Sequence, residues 1–214
     1  MAQRIVIIGS GGHAQVVADI LMRARGSGQS VEPLGYVDDD PQAAGKTFLG
    51  LAVLGGIADL SRIQHDAVII GMTPNRARSE LFARLKGQGE RFAVARHPAA
   101  NIAPGVSLGP GTMICAGVVV NPMSVIGEDV ILNTGCTLDH HNKIAVHAHI
   151  APGVHTGGDV EVEEGALVGI GATVSPNCKV GSWSVVGAGA VVVKDVPPGV
   201  TVTGVPARIV EKKA

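Results

Sequence analysis

Histidine is concentrated in one short stretch of the sequence. Five of the eight histidines lie between positions 140 and 155, and two of them are adjacent in the segment Asp139-His140-His141-Asn142. An imidazole exchanges protons near neutral pH, which makes it the side chain best suited to act as a general base. Surface histidines without a role, or a metal site, are the alternatives. We expect no metal, because adjacent side chains on a strand point in opposite directions and cannot share one ion.

A glycine turn near the N-terminus is a second candidate site. Residues 9–13 (GSGGH) follow the apolar run 5–8, and such a turn can present backbone N–H groups and a helix N-terminus to a diphosphate. The turn departs from G-x-G-x-x-G, since Ala14 stands where the third glycine would be, so a purely structural turn is an equally good interpretation. Asp38 and Asp39 follow the next strand, where they either accept hydrogen bonds from a base or ribose or form a solvated turn.

The elements around this turn alternate between strand and helix. Apolar runs predict strands at 4–8, 34–37 and 67–70, and helices are predicted at 13–25 and 75–88. The first helix has apolar residues at helical spacing, namely Val16, Val17, Ile20 and Leu21. A strand, a glycine turn, a helix and a strand begin a doubly wound parallel sheet. We therefore predict a Rossmann-like α/β domain with a parallel sheet over residues 1–98.

From Ile102 onward the sequence repeats every six residues. Fifteen of the sixteen positions at this spacing, through Val192, are Ile, Leu or Val, and the exception is Thr156. Four residues after each stands Ala, Ser, Thr, Cys or Val, except at Asn142. A β-sandwich would instead give a period of two, with turns every ~8–12 residues. We predict a left-handed parallel β-helix of hexapeptide repeats over residues 99–214, with three sides per coil.

The repeat also predicts which residues lie close together. With three sides per coil, each residue lies beneath the one eighteen positions later, about 4.8 Å away. Gly158 therefore lies next to His140, on the side where Thr156 breaks the aliphatic pattern. A break in packing beside a histidine is where function is expected to override stability. A glycine amide can approach a carbonyl oxygen closely and stabilise an oxyanion, so we predict one site containing both residues.

Composition excludes several functional classes. The net charge is −1 and the Lys and Arg residues are dispersed, so the sequence predicts no basic patch that would bind nucleic acid or an anionic membrane. Aromatic residues make up 2% of the chain against 30 glycines, which favours tight coils. Cys115, Cys136 and Cys178 lack metal-ligand spacing, which suggests a reducing compartment. The N-terminal apolar run is too short for a signal peptide or a membrane span, so we expect a cytoplasmic protein. A short open prism cannot hide its flanks, so we also expect an oligomer.

On these residues the chain resembles the bacterial nucleotide-amino-sugar N-acetyltransferases of bacillosamine and perosamine biosynthesis, which are grouped with sialic acid O-acetyltransferases. The resemblance covers essentially the whole chain. It rests on the segments 8–13 (IGSGGH), 37–39 (VDD), 70–71 (IG), 75–76 (NR), 131–135 (ILNTG), 139–140 (DH) and 204–208 (GVPAR).

The resemblance implies a homotrimer that uses acetyl-CoA, without a metal, to acetylate the amine of a nucleotide-linked amino sugar in surface polysaccharide biosynthesis. It implies that the first domain binds the nucleotide sugar and that acetyl-CoA lies in the groove between neighbouring β-helices. At the catalytic site it assigns His140 as the base and Gly158 as the oxyanion amide, beside Asp139 and His141. Nucleotide-sugar contacts are implied for Gly11, Gly12, His13, Asp38, Asp39 and Gly71. Acetyl-CoA contacts are implied for His149, Gly158, Ile170 and Ala188.

The chain departs from the family directly after the base. The family usually has Asp or Glu there, thought to raise the basicity of the histidine, whereas this chain has His141. A second imidazole supplies no negative charge, so either Asp139 substitutes in part or His140 is a weaker base. No cysteine is needed as a nucleophile, because each lies at a regular repeat position. The implied reaction is direct transfer.

Other functions fit part of the pattern. The same base could serve a sugar O-acetyltransferase of the sialic acid type. An acetyltransferase for serine or a small amine would leave the first domain without a role. A hexapeptide-repeat carbonic anhydrase would bind zinc, and an inactive scaffold would make the pairing of His140 with Gly158 accidental. The nucleotide is open among UDP, GDP, CMP and TDP.

Overall fold

The computed structural model describes residues 1–210 and contains two compact units, Met1–Pro98 and a second unit that begins at Ala99. The first unit has two α-helices, α1 (Gly12–Gly26) and α2 (Asn75–Gly87), and 3-10 turns at Pro41–Ala43 and Ile57–Arg62. Its strands are β1 (Gln3–Ile8), β2 (Val31–Val37), β3 (Thr47–Phe48), β4 (Leu51–Ala52), β5 (Ala67–Ile70) and β6 (Ala95–Arg96).

A parallel sheet of order β2-β1-β5 forms the centre of the first unit. The last four residues of β1 are fully buried, as expected for a strand covered on both faces. Val6 and Ile8 pack in one cluster with residues of α2. Because β2 and β5 lie on opposite sides of β1, the order of strands reverses at β1. In open α/β sheets the crevice at such a switch point, at the carboxyl ends of the strands, is where ligands bind.

The predicted strands and helices of this unit are present with shifted ends. β2 begins earlier than predicted, and α1 exposes Val16 while burying Val17, Ile20 and Leu21. The β3–β4 hairpin was not predicted. Its turn residues Leu49 and Gly50 have φ of 51° and 78°, the region that two-residue hairpin turns require. A leucine in that conformation gives no sequence signal.

The second unit is built from two-residue strands, each ending on the aliphatic position of the repeat, with Thr156 in place of the aliphatic in one of them. They are β7 (Asn101–Ile102), β8 (Ser107–Leu108), β9 (Met113–Ile114), β10 (Val119–Val120), β11 (Val125–Ile126), β12 (Ile131–Leu132), β13 (Thr137–Leu138), β14 (Lys143–Ile144), β15 (His149–Ile150), β16 (His155–Thr156), β17 (Glu161–Val162), β18 (Leu167–Val168), β19 (Thr173–Val174), β20 (Lys179–Val180), β21 (Val185–Val186) and β22 (Val191–Val192). β23 (Thr201–Thr203) and the antiparallel β24 (Arg208–Ile209) follow them.

From β7 to β22 every third strand pairs in parallel, with partners eighteen residues apart, as Leu138 with Thr156 shows, and β23 pairs with β21 at an offset of sixteen. The first face contains β7, β10, β13, β16, β19 and β22, and the second face contains β8, β11, β14, β17 and β20. The third face contains β9, β12, β15, β18, β21 and β23. The predicted fold class, a parallel-sheet α/β domain followed by a parallel β-helix of hexapeptide repeats, is confirmed. Among residues 1–210, no helix combines the length and apolar character needed to cross a membrane.

Each strand from β7 to β21 is followed by a corner whose third residue has positive φ. At the corner after the third face, called the third corner, this residue is always glycine: Gly117, Gly135, Gly153, Gly171 and Gly189. At the corner after the first face, called the first corner, four of the five are side-chain-bearing residues: Met123, His141, Asp159 and Asn177. The left-handed conformation is strained for such residues. The corner after the second face likewise has Asp129, His147 and Trp183 in this conformation, so both corners hold side chains at a cost to stability.

Replacing Thr156 by valine should stabilise the second unit. Thr156 is buried, and its hydroxyl lies 3.5 Å from the Thr137 carbonyl oxygen, at the limit for a hydrogen bond. We expect Thr156→Val to raise the free energy of unfolding by about 1 kcal/mol, because it removes a poorly bonded buried hydroxyl. Urea unfolding followed by the fluorescence of the single tryptophan, Trp183, measures this change.

The matched control is Val174→Thr, one coil further on the same face, which should lower the free energy of unfolding. A loss of stability in Thr156→Val would show that Thr156 is not a packing defect.

Candidate active site

His140 lies at the first corner, with its side chain 51% exposed. The next coil approaches its ring so closely that a Cβ added at Gly158 would lie 2.7 Å from His140 Nε2. Only glycine allows the imidazole to lie against the backbone there. The structure thus brings His140 and Gly158 together, as the eighteen-residue offset predicted.

His140 and His141 do not point apart. Their Nδ1 atoms are 3.0 Å apart, with the ring planes at 83°, and Asp159 Oδ2 lies 3.8 Å from His140 Nδ1. The expectation of opposite directions was wrong because it applied the alternation of a strand to a turn, in which His141 has a φ of 58°. His140, His141 and Asp159 are also the described residues whose ligand atoms, all within 4.8 Å of one another, could hold a cation. All three are exposed.

The carboxylate of Asp139 is directed at the backbone of the turn rather than at the imidazole. Its Oδ1 accepts hydrogen bonds from Asn121 Nδ2 at 2.9 Å and from the His140 N–H at 2.8 Å. These bonds, Asn121 first, hold the pKa of Asp139 below its usual value. Asp139 therefore braces the turn, and Asp159 is the carboxylate beside the ring. The sequence contained a signal for Asp159, since it lies eighteen residues after His141.

Asn142 lies inside the prism, fully buried, where other coils have a small residue. Its Nδ2 donates to the Asp139 carbonyl oxygen at 2.7 Å, to the Gly157 carbonyl oxygen at 2.9 Å and to the His140 carbonyl oxygen at 3.3 Å. The Ser124 hydroxyl also donates to the Asp139 carbonyl oxygen, at 3.0 Å. Buried side chains thus hold the corner that carries His140.

The cysteines are unsuited to nucleophilic catalysis. Cys115, Cys136 and Cys178 are buried and free. Burial raises the pKa of Cys115 to about 11 and that of Cys136 to about 12, and it also raises the pKa of Cys178. Because the thiolate is the reactive form, these side chains are inert near neutral pH.

The residues assigned to acetyl-CoA lie elsewhere on the β-helix. Ile170, 62% exposed, and Ala188 occupy equivalent positions of the third corner. His149 lies on the third face, buried, with Nε2 at 3.2 Å from Asn133 Nδ2. Within one chain, these residues are therefore separated from His140, which lies at the first corner.

In the first unit the glycine turn follows β1, with Gly9 at a φ of 91°. Asp38 holds the turn, since its Oδ2 accepts hydrogen bonds from the Ser10 N–H at 2.7 Å and the Ser10 hydroxyl at 2.6 Å. Burial acts to raise the pKa of Asp38, but hydrogen bonds from Ser10 and Asp40 outweigh it, so the pKa lies below its usual value. Asp39 Oδ1 accepts from the Ile57 N–H at 2.8 Å. Both carboxylates therefore have structural partners.

A cavity of about 340 Å³ opens beside the turn, lined in part by Ser10, Gly11, Asp38 and Lys46. Sequence reasoning missed Lys46, which precedes the unpredicted β3–β4 hairpin. Gly11 and Gly12 are exposed, with open space where a side chain would lie. Gly71 differs, because an added Cβ would lie 2.6 Å from Ala14 Cβ, so α1 packing requires this glycine. The arrangement offers backbone N–H groups and one ammonium to an anionic ligand.

Two family descriptions match the chain. Residues 4–85 match the PglD N-terminal domain. Residues 159–194 match the bacterial transferase hexapeptide family of six repeats.

Solved structures match nearly the whole chain. The acetyltransferase domain of PglB from Neisseria gonorrhoeae FA1090, in complex with acetyl coenzyme A, is 32% identical with a TM-score of 0.90, and the match covers 98% of this chain and 100% of that one. PerB from Caulobacter crescentus, in complex with CoA and GDP-perosamine, is 36% identical with a TM-score of 0.88, and the match covers 97% of each chain. Two further structures of this perosamine N-acetyltransferase with the same ligands have one histidine replaced, by alanine or by asparagine.

Serine acetyltransferase from Salmonella typhimurium is 37% identical over 139 residues, which make up 64% of this chain and 46% of that protein. The chain therefore spans about half the length of the curated relatives it matches.

The stability of the first unit should depend on the protonation of His13. Burial, with repulsion from Arg78, lowers the pKa of His13 to about 4. In the unfolded chain this imidazole takes up a proton near pH 6.5, the usual pKa of histidine. As the pH falls from about 6.5 to about 4, protons therefore favour the unfolded state, and we expect the unit to lose stability across this window. Hydrogen exchange of β1 amides near pH 7.5 and near pH 5, corrected for intrinsic rates, measures it.

The His13→Gln variant should show a smaller pH dependence than the parent, whereas His155→Gln in the second unit should match the parent. An unchanged pH dependence in His13→Gln would show that His13 is not the responsible group.

Proposed function

The chain belongs to the bacterial nucleotide-amino-sugar acetyltransferases of the bacillosamine and perosamine type, and we propose that it transfers the acetyl group of acetyl-CoA to the amine of a nucleotide-linked amino sugar. The observation that carries this proposal is the contact between His140 and Gly158. An imidazole, the side chain suited to act as a general base, lies there beside a backbone amide in a corner that is open to solvent.

In the proposed reaction, His140 Nε2 takes a proton from the sugar amine as the amine nitrogen attacks the thioester carbonyl. Nδ1 faces His141 and Asp159, which leaves Nε2 for this role. The Gly158 N–H donates to the oxyanion that forms. When the tetrahedral intermediate collapses, the carbon–sulfur bond breaks and the CoA thiolate leaves, taking up the proton from the imidazolium. The products are the N-acetylated sugar and CoA. We assign to Asp159 the negative charge that position 141 lacks in this chain.

The first unit is the proposed site for the nucleotide part of the acceptor. The glycine turn and Lys46 suit a diphosphate, which carries negative charge and accepts hydrogen bonds from backbone N–H groups. Gly11, Gly12, His13, Asp38, Asp39 and Gly71 all follow the carboxyl ends of the three parallel strands. Surface polysaccharide biosynthesis is the proposed setting.

Acetyl-CoA is proposed to bind between neighbouring β-helices of a homotrimer. The support is the separation within one chain of His140 and Gly158, at the first corner, from Ile170 and Ala188, at the third corner. An interface that joins the first corner of one subunit to the third corner of the next would bring both groups to one groove. The exposed apolar side chains of Met123 and Ile170 suit such an interface.

Serine, the acceptor in the name of the curated relatives, is the second candidate. Their match to 64% of this chain is the observation that favours it. The first unit separates the two proposals, because a serine acceptor leaves the glycine turn without a ligand.

Removal of the imidazole of His140 should abolish most of the activity. We expect His140→Asn to lower kcat/KM by about 10²–10⁴-fold with little change in KM, as loss of a general base does. Steady-state kinetics with acetyl-CoA and nucleotide-linked amino sugars measures the effect. His155→Asn, which alters an exposed histidine on a strand of the first face, is the control and should keep parental rates. A His140→Asn enzyme within threefold of the parent would contradict the assignment.

The acidic residues after β2 should affect the acceptor alone. We expect Asp38→Ala and Asp39→Ala each to weaken nucleotide-sugar binding by about tenfold, since each loses hydrogen bonds that shape the site, while CoA affinity stays nearly unchanged. Calorimetric titration of each ligand measures both affinities. The control is Asp19→Ala, on the exposed side of α1, where Asp19 pairs with Arg23. Equal losses of both affinities would show that the two units do not divide the ligands.

A further inference from the structure

We propose that Asn142 is a positioning residue for acetyl transfer, which orients the peptide between Gly157 and Gly158 so that the Gly158 N–H faces the reacting carbonyl. This inference rests on the proposed function, because it assigns a role within the same reaction. Asn142 touches neither substrate and acts through the backbone.

The orientation follows from the geometry of a trans peptide, whose C=O and N–H groups point in opposite directions. The Gly157 carbonyl oxygen accepts a hydrogen bond of 2.9 Å from Asn142 Nδ2, inside the prism. The N–H at the other end of that peptide, which belongs to Gly158, therefore points outward, at the first corner where His140 lies.

The Gly158 N–H is available as a donor. Within residues 1–210 it donates no hydrogen bond. Other coils place proline at the equivalent position of the first corner, at Pro104, Pro122 and Pro176, and proline has no N–H. The N–H of His140 is used by the Asp139 carboxylate. Of the five equivalent positions, 104, 122, 140, 158 and 176, Gly158 is thus the one whose backbone N–H can stabilise an oxyanion.

Smaller polar residues at the equivalent inward position of other coils do less. The Ser184 hydroxyl donates to the Gly181 carbonyl oxygen, three residues earlier, and the Thr112 hydroxyl to the Gly127 carbonyl oxygen. Ser184 thus bonds within its own coil and Thr112 to the next coil, whereas Asn142 does both, reaching the Asp139 carbonyl oxygen in its own coil and the Gly157 carbonyl oxygen in the next. It links the turn that carries the base to the peptide that carries the oxyanion donor.

Asn142 also carries a cost that packing does not explain. Its Oδ1 is buried and has no hydrogen-bond partner among the described residues. A buried acceptor without a partner destabilises a fold, and the small residues used elsewhere in the repeat avoid it. Retention of the amide at this corner therefore points to function.

The Asn142→Cys variant removes the contact with Gly157. A cysteine fits at this inward position, as Cys136 and Cys178 do in other coils, and its thiol is too weak a donor to replace the amide. We expect kcat to fall by about 10- to 100-fold, with KM for both substrates unchanged. This fall is at most as large as the fall in kcat that removal of an oxyanion donor causes. Asn142→Ser is the matched variant and should lose less kcat, because a serine hydroxyl can reach the next coil. The Ser124 hydroxyl, at the equivalent position one coil earlier, reaches the Asp139 carbonyl oxygen, which corresponds to that of Gly157.

The control for stability is Thr112→Ala, which also removes one inward hydrogen bond to a backbone carbonyl but lies away from the first corner. It should shift the thermal midpoint about as much as Asn142→Cys does and leave kcat at the parental value. A bisubstrate analogue with a tetrahedral phosphonate in place of the reacting carbonyl supplies a readout that a structural role would not move. Its affinity should fall in Asn142→Cys by the same factor as kcat, while CoA affinity is kept.

His140→Asn, measured in parallel, separates this inference from the proposed function. If His140→Asn is inactive while Asn142→Cys keeps kcat within threefold of the parent, the positioning role is overturned and the proposed function stands. If His140→Asn keeps its activity, the proposed function fails. Equal losses of affinity for CoA and for the phosphonate analogue in Asn142→Cys would also overturn the inference, because the whole site would then have changed.

Discussion

The narrow interior of the β-helix is the constraint on which the second unit depends. Each side admits one branched aliphatic residue and one small residue near the corner, so the chain must advance six residues per side and eighteen per coil. That spacing fixes the neighbours of every outward residue. The fold alone therefore determines which residue of the next coil lies against the ring of a histidine. The proposed chemistry requires only that the residue at that offset be glycine, as Gly158 is.

The same regularity explains how much the sequence could predict. An uninterrupted period gave the strands, the faces and the proximity of His140 to Gly158, because each follows from counting. Counting failed at the corner itself, where the alternation of a strand was applied to His141 and the turn instead brings the two imidazoles together. The same eighteen-residue offset could also have predicted that Asp159 lies beside His140. The position of Lys46 beside the glycine turn could not be predicted, because it depends on a hairpin whose turn begins with a leucine.

The first unit was predictable for a different reason. Its central strands are wholly apolar and its helices have regular apolar spacing, so element types followed from pattern. The roles of its polar residues did not. Asp38 and Asp39 were expected to meet a ligand, yet their hydrogen bonds to Ser10 and Ile57 hold the loops of the site. Carboxylates with such bonds preorganise a pocket, so their proposed contribution to binding is the shape of the turn as much as direct contact.

Polar residues inside the prism are concentrated where the proposed chemistry takes place. Thr112 and Ser184 are isolated, but Ser124, Asn142 and Thr156 lie in successive coils around the corner that carries His140. A prism built for stability alone would place aliphatic or small apolar residues at all three positions. Hydrogen bonds to corner carbonyls fix backbone direction, which aliphatic packing cannot do, because dispersion contacts have no preferred donor and acceptor. The interior of this β-helix therefore gives up packing where, in the proposed reaction, the direction of a single peptide determines which N–H group faces the substrate.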